Sequence, residues 1–219
     1  MIMAGQVEVD KALADKPGHL IPISSLISLK TTPSPYVSRG GQKLEAALEQ
    51  FSVDVRGDTL LDVGASTGGF TDCLLQRGAK RIIAVDVGYG QLDWKLRQDP
   101  RVILLERTNI RYLKPDDLET AIGGAVIDAS FISLKLVVPP VSDLLPKEAY
   151  IIALIKPQFE VGKGKVGKGG VVRDPSLHEE VIQGLGRFFE GLGWTVAGQM
   201  ASPLLGPKGN KEFLVYLKR

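Results

Sequence analysis

The chain has 219 residues, of which 44% are hydrophobic and 24% are charged, and its formal net charge at pH 7 is +2. This composition is that of an ordinary globular protein with room for one sizeable domain and a small additional unit. The single cysteine excludes an internal disulfide framework, and the apolar runs are far shorter than the roughly 20 residues of a membrane-spanning helix. We therefore expect no membrane span and a cytoplasmic location. Because the net charge is small, nucleic-acid binding must be argued from local clusters.

Residues 1–30 predict a small β-rich unit, because short apolar stretches alternate there with polar residues and turn signals. Residues 31–39, which begin with a polar, proline-bearing stretch, predict a linker to the rest of the chain. The predicted strands lie around Val7/Val9, Leu20-Ile21 and Leu26-Ile27, with a turn at Lys16-Pro17-Gly18.

Residues 40–219 predict an α/β domain, because apolar strand-like runs alternate with amphipathic helical stretches. The last two predicted strands have no helix between them, so we expect them to pair antiparallel in an otherwise parallel, seven-stranded sheet. The predicted strands lie near 59–63, 81–86, 102–106, 124–128, 149–155, 194–200 and 212–217, and the helices near 41–50, 70–77, 91–98, 134–144 and 176–191.

A glycine-rich segment follows the first of these strands, Asp62-Val-Gly-Ala-Ser-Thr-Gly-Gly-Phe70. A tight turn at the carboxyl edge of a sheet, followed by a helix N-terminus, offers free N–H groups to a carboxylate or phosphate. The spacing Asp-x-Gly-x-x-x-Gly-Gly differs from the Gly-x-Gly-x-x-Gly of dinucleotide folds, which favours a nucleoside with an amino-acid tail. The predicted cofactor-binding residues in this segment are Asp62, Gly64, Ser66, Gly68, Gly69 and Phe70.

A second acidic residue, Asp86, ends the next predicted strand, about one strand–helix–strand unit after Asp62. A carboxylate at such a strand tip can bind both hydroxyls of a ribose. We therefore add Asp86 and its neighbour Val87 to the predicted cofactor contacts. The alternative is that the two acids only cap or solvate strand ends.

Together with Tyr36-Val-Ser-Arg-Gly-Gly-Gln-Lys-Leu44, the glycine-rich segment resembles the TlyA (hemolysin A-like) branch of the FtsJ-type ribose methyltransferases. The likeness spans residues 36–219. It implies a Rossmann-like class I methyltransferase fold, S-adenosylmethionine as the cofactor, and methylation of cytidine ribose 2′-hydroxyls in ribosomal RNA. Four further segments, in chain order, also resemble this family: Asp128-Ala-Ser-Phe-Ile-Ser-Leu134, Leu154-Ile-Lys-Pro-Gln-Phe-Glu160, 166–175 and Gly209-Asn-Lys-Glu-Phe213.

The resemblance implies a catalytic Lys-Asp-Lys-Glu set at Lys43, Asp128, Lys156 and Glu212. Asp128 and Lys156 each follow an apolar strand, so both should emerge at the edge that carries the glycine-rich segment. A ribose hydroxyl is a poor nucleophile and must be aligned and relieved of its proton, a task that we predict for Lys156. Lys43 should favour the neutral form of that amine by charge repulsion, while Asp128 and Glu212 orient the pair.

Asp128 is also a predicted cofactor contact, and no metal is expected. Two surface salt bridges are the alternative explanation of the four charged residues. Adenine amino-group methylation fits less well, because Asp128-Ala-Ser-Phe131 stands where such enzymes carry an Asn/Asp-Pro-Pro-aromatic stretch. Cytosine-C5 methylation needs a cysteine nucleophile, whereas Cys73 lies in a predicted helix and suits the core.

The loop 161–173 combines glycines with cations, which suits a phosphate backbone; a solvated surface loop is the alternative. Residues 3–30 resemble the second half of the alpha-L RNA-binding module that precedes the catalytic domain in this family. We therefore expect a truncated module. The predicted RNA-binding residues are Arg39, Lys163, Lys165, Lys168, Arg173, Lys208 and Lys211.

The sequence features leave three hypotheses for the function. The first is a ribosomal-RNA 2′-O-methyltransferase that acts on ribosomal RNA or ribosomal subunits. The second is a haemolytic or pore-forming protein, disfavoured because no strongly amphipathic membrane helix is predicted. The third is a cofactor-binding protein whose truncated front end leaves it catalytically idle.

Overall fold

The computed structural model describes residues 7–14, 18–29, 34–118, 120–162 and 164–219, and divides into two units, Met1–Pro35 and Tyr36–Arg219. The smaller unit contains an antiparallel sheet of three strands, in the order β2-β1-β3. These strands are β1 Val7–Val9, β2 Ala12–Ala14 and β3 Ile27–Leu29.

The smaller unit differs from the expected strand pattern at one segment. Leu20-Ile21 forms no strand, and the Leu20 side chain is exposed. Instead, Asp10 and Lys11 adopt positive φ angles of 51° and 70° and join β1 to β2 in a two-residue hairpin turn. Of the turn predicted at Lys16-Pro17-Gly18, the first two residues lie outside the described residues.

The larger unit is built on a seven-stranded sheet with the order β6-β5-β4-β7-β8-β10-β9. All neighbours are parallel except β10, which pairs antiparallel with both β8 and β9. The predicted α/β fold with one antiparallel strand is therefore confirmed. The strands are β4 Thr59–Val63, β5 Arg81–Val85, β6 Val102–Leu105, β7 Gly124–Ile127, β8 Tyr150–Ile155, β9 Thr195–Ala201 and β10 Phe213–Lys218. The helices are α1 Gly40–Gln50, α2 Gly69–Gln76, α3 Trp94–Arg97, α4 Leu134–Asp143, α5 Pro157–Glu160 and α6 Pro175–Gly191.

Helices cover both faces of this sheet, which is why its central strands are continuous apolar runs. Successive residues of a strand point to opposite faces. Leu61 therefore packs in the core with α4 and α6, while Leu60 packs in the core with α1 and α2. Cys73 on α2 is fully buried in the same core as Leu60, and burial raises the pKa of its thiol to about 12. Its predicted role as a core residue is confirmed.

Two short helices differ from the prediction. The helix expected over 91–98 is shorter and spans only the four residues of α3, 94–97. Its start is set by the Asp93 side chain, which accepts a hydrogen bond from the Lys95 amide at 3.0 Å. The unpredicted α5 begins at Pro157, directly after Lys156. Proline is favoured at the first position of a helix, so this signal was present in the sequence.

Candidate active site

The glycine-rich loop, residues 64–68, connects the end of β4 to α2 at the carboxyl edge of the sheet. Gly64 has a φ of 83°, and a Cβ atom there would lie 2.9 Å from the carbonyl oxygen of Asp128. Its amide donates to the Val85 carbonyl at 2.9 Å. Only glycine combines this backbone angle with such close packing, so the loop is held against the ends of β5 and β7.

The first cleft beside this loop has a volume of about 560 Å³ and is bounded by the tips of β4, β5 and β7. Asp86 lies at its rim, where one carboxylate oxygen accepts from the Ser66 amide at 2.8 Å and the other from the Gly88 amide at 2.7 Å. Two backbone donors therefore fix the orientation of this carboxylate. The predicted cofactor residues that line the first cleft are Gly64, Ser66, Asp86, Val87 and Asp128.

The second cleft has a volume of about 370 Å³ and lies on the other side of the loop, next to the start of α1. It shares Gly64, Ser66, Asp128 and Ser130 with the first cleft, so the two adjoin. All four residues predicted to be catalytic line it: Lys43, Asp128, Lys156 and Glu212. Of the other predicted cofactor contacts, Gly69 and Phe70 also line it.

The four charged residues of the second cleft form two ion pairs. The Lys43 Nζ atom lies 2.5 Å from Glu212 Oε2, and the Lys156 Nζ atom lies 2.6 Å from Asp128 Oδ1. Lys43, Lys156 and Glu212 are 9%, 8% and 2% exposed, so these are not surface salt bridges. Charges this deep must be paired, because desolvation of an isolated ion costs several kcal/mol.

Two further features of this cleft were not predicted from the sequence. Lys156 donates to the Ser130 hydroxyl at 2.7 Å, which adds an uncharged partner to the ion pair with Asp128. Glu212 Oε1 is buried without a hydrogen-bond partner among the described residues. That oxygen is shielded from solvent and packs against Gly206.

Two of the predicted cofactor residues lie outside both clefts. Asp62 is fully buried beneath the loop, where one carboxylate oxygen accepts from the Thr71 hydroxyl at 2.6 Å. Burial, together with the negative charges of Asp128 and Asp86, raises the pKa of Asp62 to about 7. A Cβ atom at Gly68 would collide with leucine side chains of the α3 region. Both residues therefore stabilise the conformation of the glycine-rich loop and line neither cleft.

Of the predicted RNA-binding residues, Arg39 is exposed and lines the second cleft. Lys165 pairs with Glu180 of α6 at 2.7 Å, a contact that the sequence did not indicate. Lys163 lies outside the described residues. The other exposed cations of the predicted set are Lys168, Arg173, Lys208 and Lys211.

Phe131 also lines the first cleft and was not predicted as a site residue. It is 91% exposed and has a positive φ of 64°, and its ring centroid lies 5.1 Å from that of Phe159. A large apolar side chain held at a cleft mouth in a disfavoured backbone conformation is an uncommon arrangement.

Within the described ranges, the His, Cys, Asp and Glu side chains form no group of three or more that could hold a metal ion. The same part of the chain contains no helix long and apolar enough to cross a membrane.

Comparison with known proteins adds sequence relatives and a related solved structure. The 16S/23S rRNA (cytidine-2′-O)-methyltransferase TlyA of Mycobacterium tuberculosis is 48% identical over 219 residues, 100% of this chain and 82% of that protein. Hemolysin A of Brachyspira hyodysenteriae is 38% identical over 217 residues, 99% of this chain and 90% of that protein. A solved structure from Streptococcus thermophilus that carries a hemolysin name matches with a TM-score of 0.87 and 46% identity, over 100% of this chain and 80% of that one. Residues 36–219 match the profile of the FtsJ-like methyltransferases. The chain therefore belongs to the FtsJ-like methyltransferase family.

Proposed function

We propose that this methyltransferase transfers a methyl group from S-adenosylmethionine to the 2′-hydroxyl of a cytidine ribose in ribosomal RNA. The observation that carries the proposal is the second cleft, where Lys43 and Glu212 form a buried ion pair and Lys156 and Asp128 a partly buried one beside the glycine-rich loop. The name of the M. tuberculosis relative supports both the RNA substrate and the cytidine.

The residues of the first cleft fit the cofactor. The Asp86 carboxylate is fixed by two amides and keeps lone pairs for the two hydroxyls of a ribose. The loop before α2 would offer backbone N–H groups and the positive end of a helix to the amino-acid carboxylate of the cofactor. When bound, S-adenosylmethionine supplies a methyl group on a sulfonium, whose departure as a neutral thioether drives the transfer.

The chain's own part in the reaction is to align the ribose hydroxyl and to accept its proton. We assign the proton to the pair of Lys156 and Asp128. Their Nζ and Oδ1 atoms are 2.6 Å apart, so the Asp128 carboxylate stabilises the positive charge that Lys156 carries once it has accepted the proton. The Ser130 hydroxyl and the Asp128 carboxylate together fix the Lys156 ammonium in place.

Lys43 and Glu212 also line the second cleft. Their 2.5 Å ion pair fixes both the Lys43 ammonium and the Glu212 carboxylate in place. The exposed cations around the cleft would hold the phosphate backbone without reading its sequence. With ribosomal subunits as the substrate, the protein would act in the cytoplasm.

Methylation of isolated ribosomal subunits tests this function. We expect wild-type protein to transfer label from labelled S-adenosylmethionine to RNA, and nuclease digestion followed by mass spectrometry to find it in 2′-O-methylcytidine. Lys156→Ala should keep cofactor binding by calorimetry and lose methyl transfer. Lys147→Ala, at an exposed lysine away from both clefts, is the matched control and should behave as wild type.

Other outcomes separate the alternatives. Cofactor binding with no label in RNA would contradict the proposal and support a catalytically idle cofactor-binding protein. The name of the B. hyodysenteriae relative suggests haemolytic activity as an alternative function to test. Dye leakage from liposomes, unchanged by Lys156→Ala, would support it.

A further inference from the structure

We propose that Asn210 is a positioning residue that couples the basic loop, residues 164–173, to the Glu212 carboxylate. RNA held on the basic loop would then keep Glu212 in its catalytic position. This inference rests on the proposed function and assigns a role to a residue that lines neither cleft.

The Asn210 side chain is 3% exposed, and its whole amide is engaged. The oxygen accepts from the Val172 amide at 3.0 Å, while the nitrogen donates to the Gly170 carbonyl at 3.0 Å and to the Pro207 carbonyl at 3.1 Å. One side chain therefore bridges two loops that are far apart in the sequence.

On one side, Asn210 holds the end of the basic loop. Gly167 pairs with Val171 in an isolated bridge, and Gly170 closes the turn by donating to the Gly167 carbonyl at 3.1 Å. Asn210 binds the two residues that flank Val171, and the buried His178 ring holds the Val172 carbonyl at 2.9 Å. Lys168 lies within this turn and Arg173 directly follows it, so the placement of both cations depends on these anchors.

On the other side, Asn210 closes the turn 206–210 that precedes Glu212. The Gly206 amide donates to the Asn210 carbonyl at 2.8 Å, and the Asn210 amide donates to the Pro207 carbonyl at 3.3 Å. The Glu212 carboxylate packs directly on Gly206, where any Cβ atom would overlap it. The turn is thus enclosed between the Asn210 amide and the Glu212 carboxylate, and a shift of the basic loop is transmitted to both.

Only an amide side chain can serve all three contacts, because they require one acceptor and two donated hydrogens at the same place. An aspartate of the same shape keeps the contact to the Val172 amide. It cannot donate, and its charge would face the carbonyl oxygens of Gly170 and Pro207. Asn210→Asp is therefore a nearly isosteric disruption of the bridge.

Steady-state kinetics on ribosomal subunits tests the coupling. We expect Asn210→Asp to lower kcat about tenfold while the Kd for S-adenosylmethionine, measured by calorimetry, stays within about twofold, as for loss of a positioning contact. Gln98→Glu makes the same amide-to-acid change at an exposed residue outside both clefts and should leave kcat unchanged.

A double-mutant cycle separates coupling from a merely structural role. In the wild-type background, Lys168→Ala should raise KM and also lower kcat. In the Asn210→Asp background, the same change should raise KM only, because the bridge to Glu212 is already broken. Equal effects of Lys168→Ala on kcat in the two backgrounds would overturn the proposal.

Hydrogen exchange of the unaltered chain gives a readout that needs neither a variant nor methyl transfer. Binding of ribosomal subunits should slow exchange in residues 170–172 and in 206–212 together. Protection of the first segment without the second would overturn the coupling, even if methyl transfer is observed. Protection of both without methyl transfer would count against the proposed function alone.

Discussion

Replacement of Asp62 by asparagine should change how the stability of the fold depends on pH. The folded chain raises the pKa of this buried carboxyl from 3.8 to about 7, chiefly through desolvation. Between these values the folded state holds a proton that the unfolded state releases, so stability falls as pH rises through this window. At 1.36 kcal/mol per pKa unit, the free energy of unfolding falls by about 4 kcal/mol across this window. Roughly 2.5 kcal/mol of that loss falls between pH 5 and pH 8.

Asparagine carries no charge and can still accept from the Thr71 hydroxyl, so Asp62→Asn should remove this pH dependence. Urea unfolding of wild type and variant at pH 5 and pH 8 measures this pH dependence. Titratable groups that both proteins share contribute equally, so they cancel when the two changes in the free energy of unfolding are subtracted. Asp99→Asn is the control. Its ion pair with Arg101 lowers the pKa of Asp99, so its contribution to stability is already complete at pH 5 and does not change up to pH 8. Parallel pH profiles for wild type and Asp62→Asn would refute the reasoning.

Three further variants probe the two clefts. Lys156→Arg keeps the positive charge but cannot give up a proton, so we expect methyl transfer to fall by about a hundredfold; activity near the wild-type rate would show that a cation suffices. Glu212→Gln leaves the buried Lys43 ammonium without its counter-ion and should lower the free energy of unfolding by about 3 kcal/mol, measured by urea denaturation. Unchanged stability would mean that Lys43 finds another partner. Gly64→Ala combines a φ of 83° with a Cβ atom 2.9 Å from the Asp128 carbonyl, so calorimetry should find weakened S-adenosylmethionine binding, and wild-type affinity would contradict this account of the loop.

The large-scale organisation of the catalytic unit was predictable because it depends on patterns within single segments. Apolar runs such as 59–63 and 124–127 are long enough to identify buried strands, and the absence of a helix between β9 and β10 indicated the antiparallel pairing. The gathering of Asp128 and Lys156 at one edge followed from the rule that parallel strands end together.

The remaining features depend on contacts between segments that lie far apart in the chain. Nothing near Lys165 in the sequence indicates that Glu180, on the following helix, pairs with it. Asp62 was predicted to contact the cofactor because it lies beside the glycine-rich segment, yet it lines neither cleft. Its burial beneath the loop depends on how α2 packs, through Thr71. The hairpin at Asp10-Lys11 was not predicted because lysine rarely adopts a positive φ, although aspartate at the first turn position is common.

The reversed direction of β10 has a practical consequence for experiments on this protein. Because β10 is antiparallel to β8, Phe213 lies beside Ile155 at the edge that carries the clefts, and Lys218 lies beside Tyr150 at the opposite edge. Six residues of strand span about 20 Å. An affinity tag or fluorophore attached after Arg219 would therefore leave from the edge of the sheet opposite the clefts, which makes the C-terminus the suitable point for immobilisation.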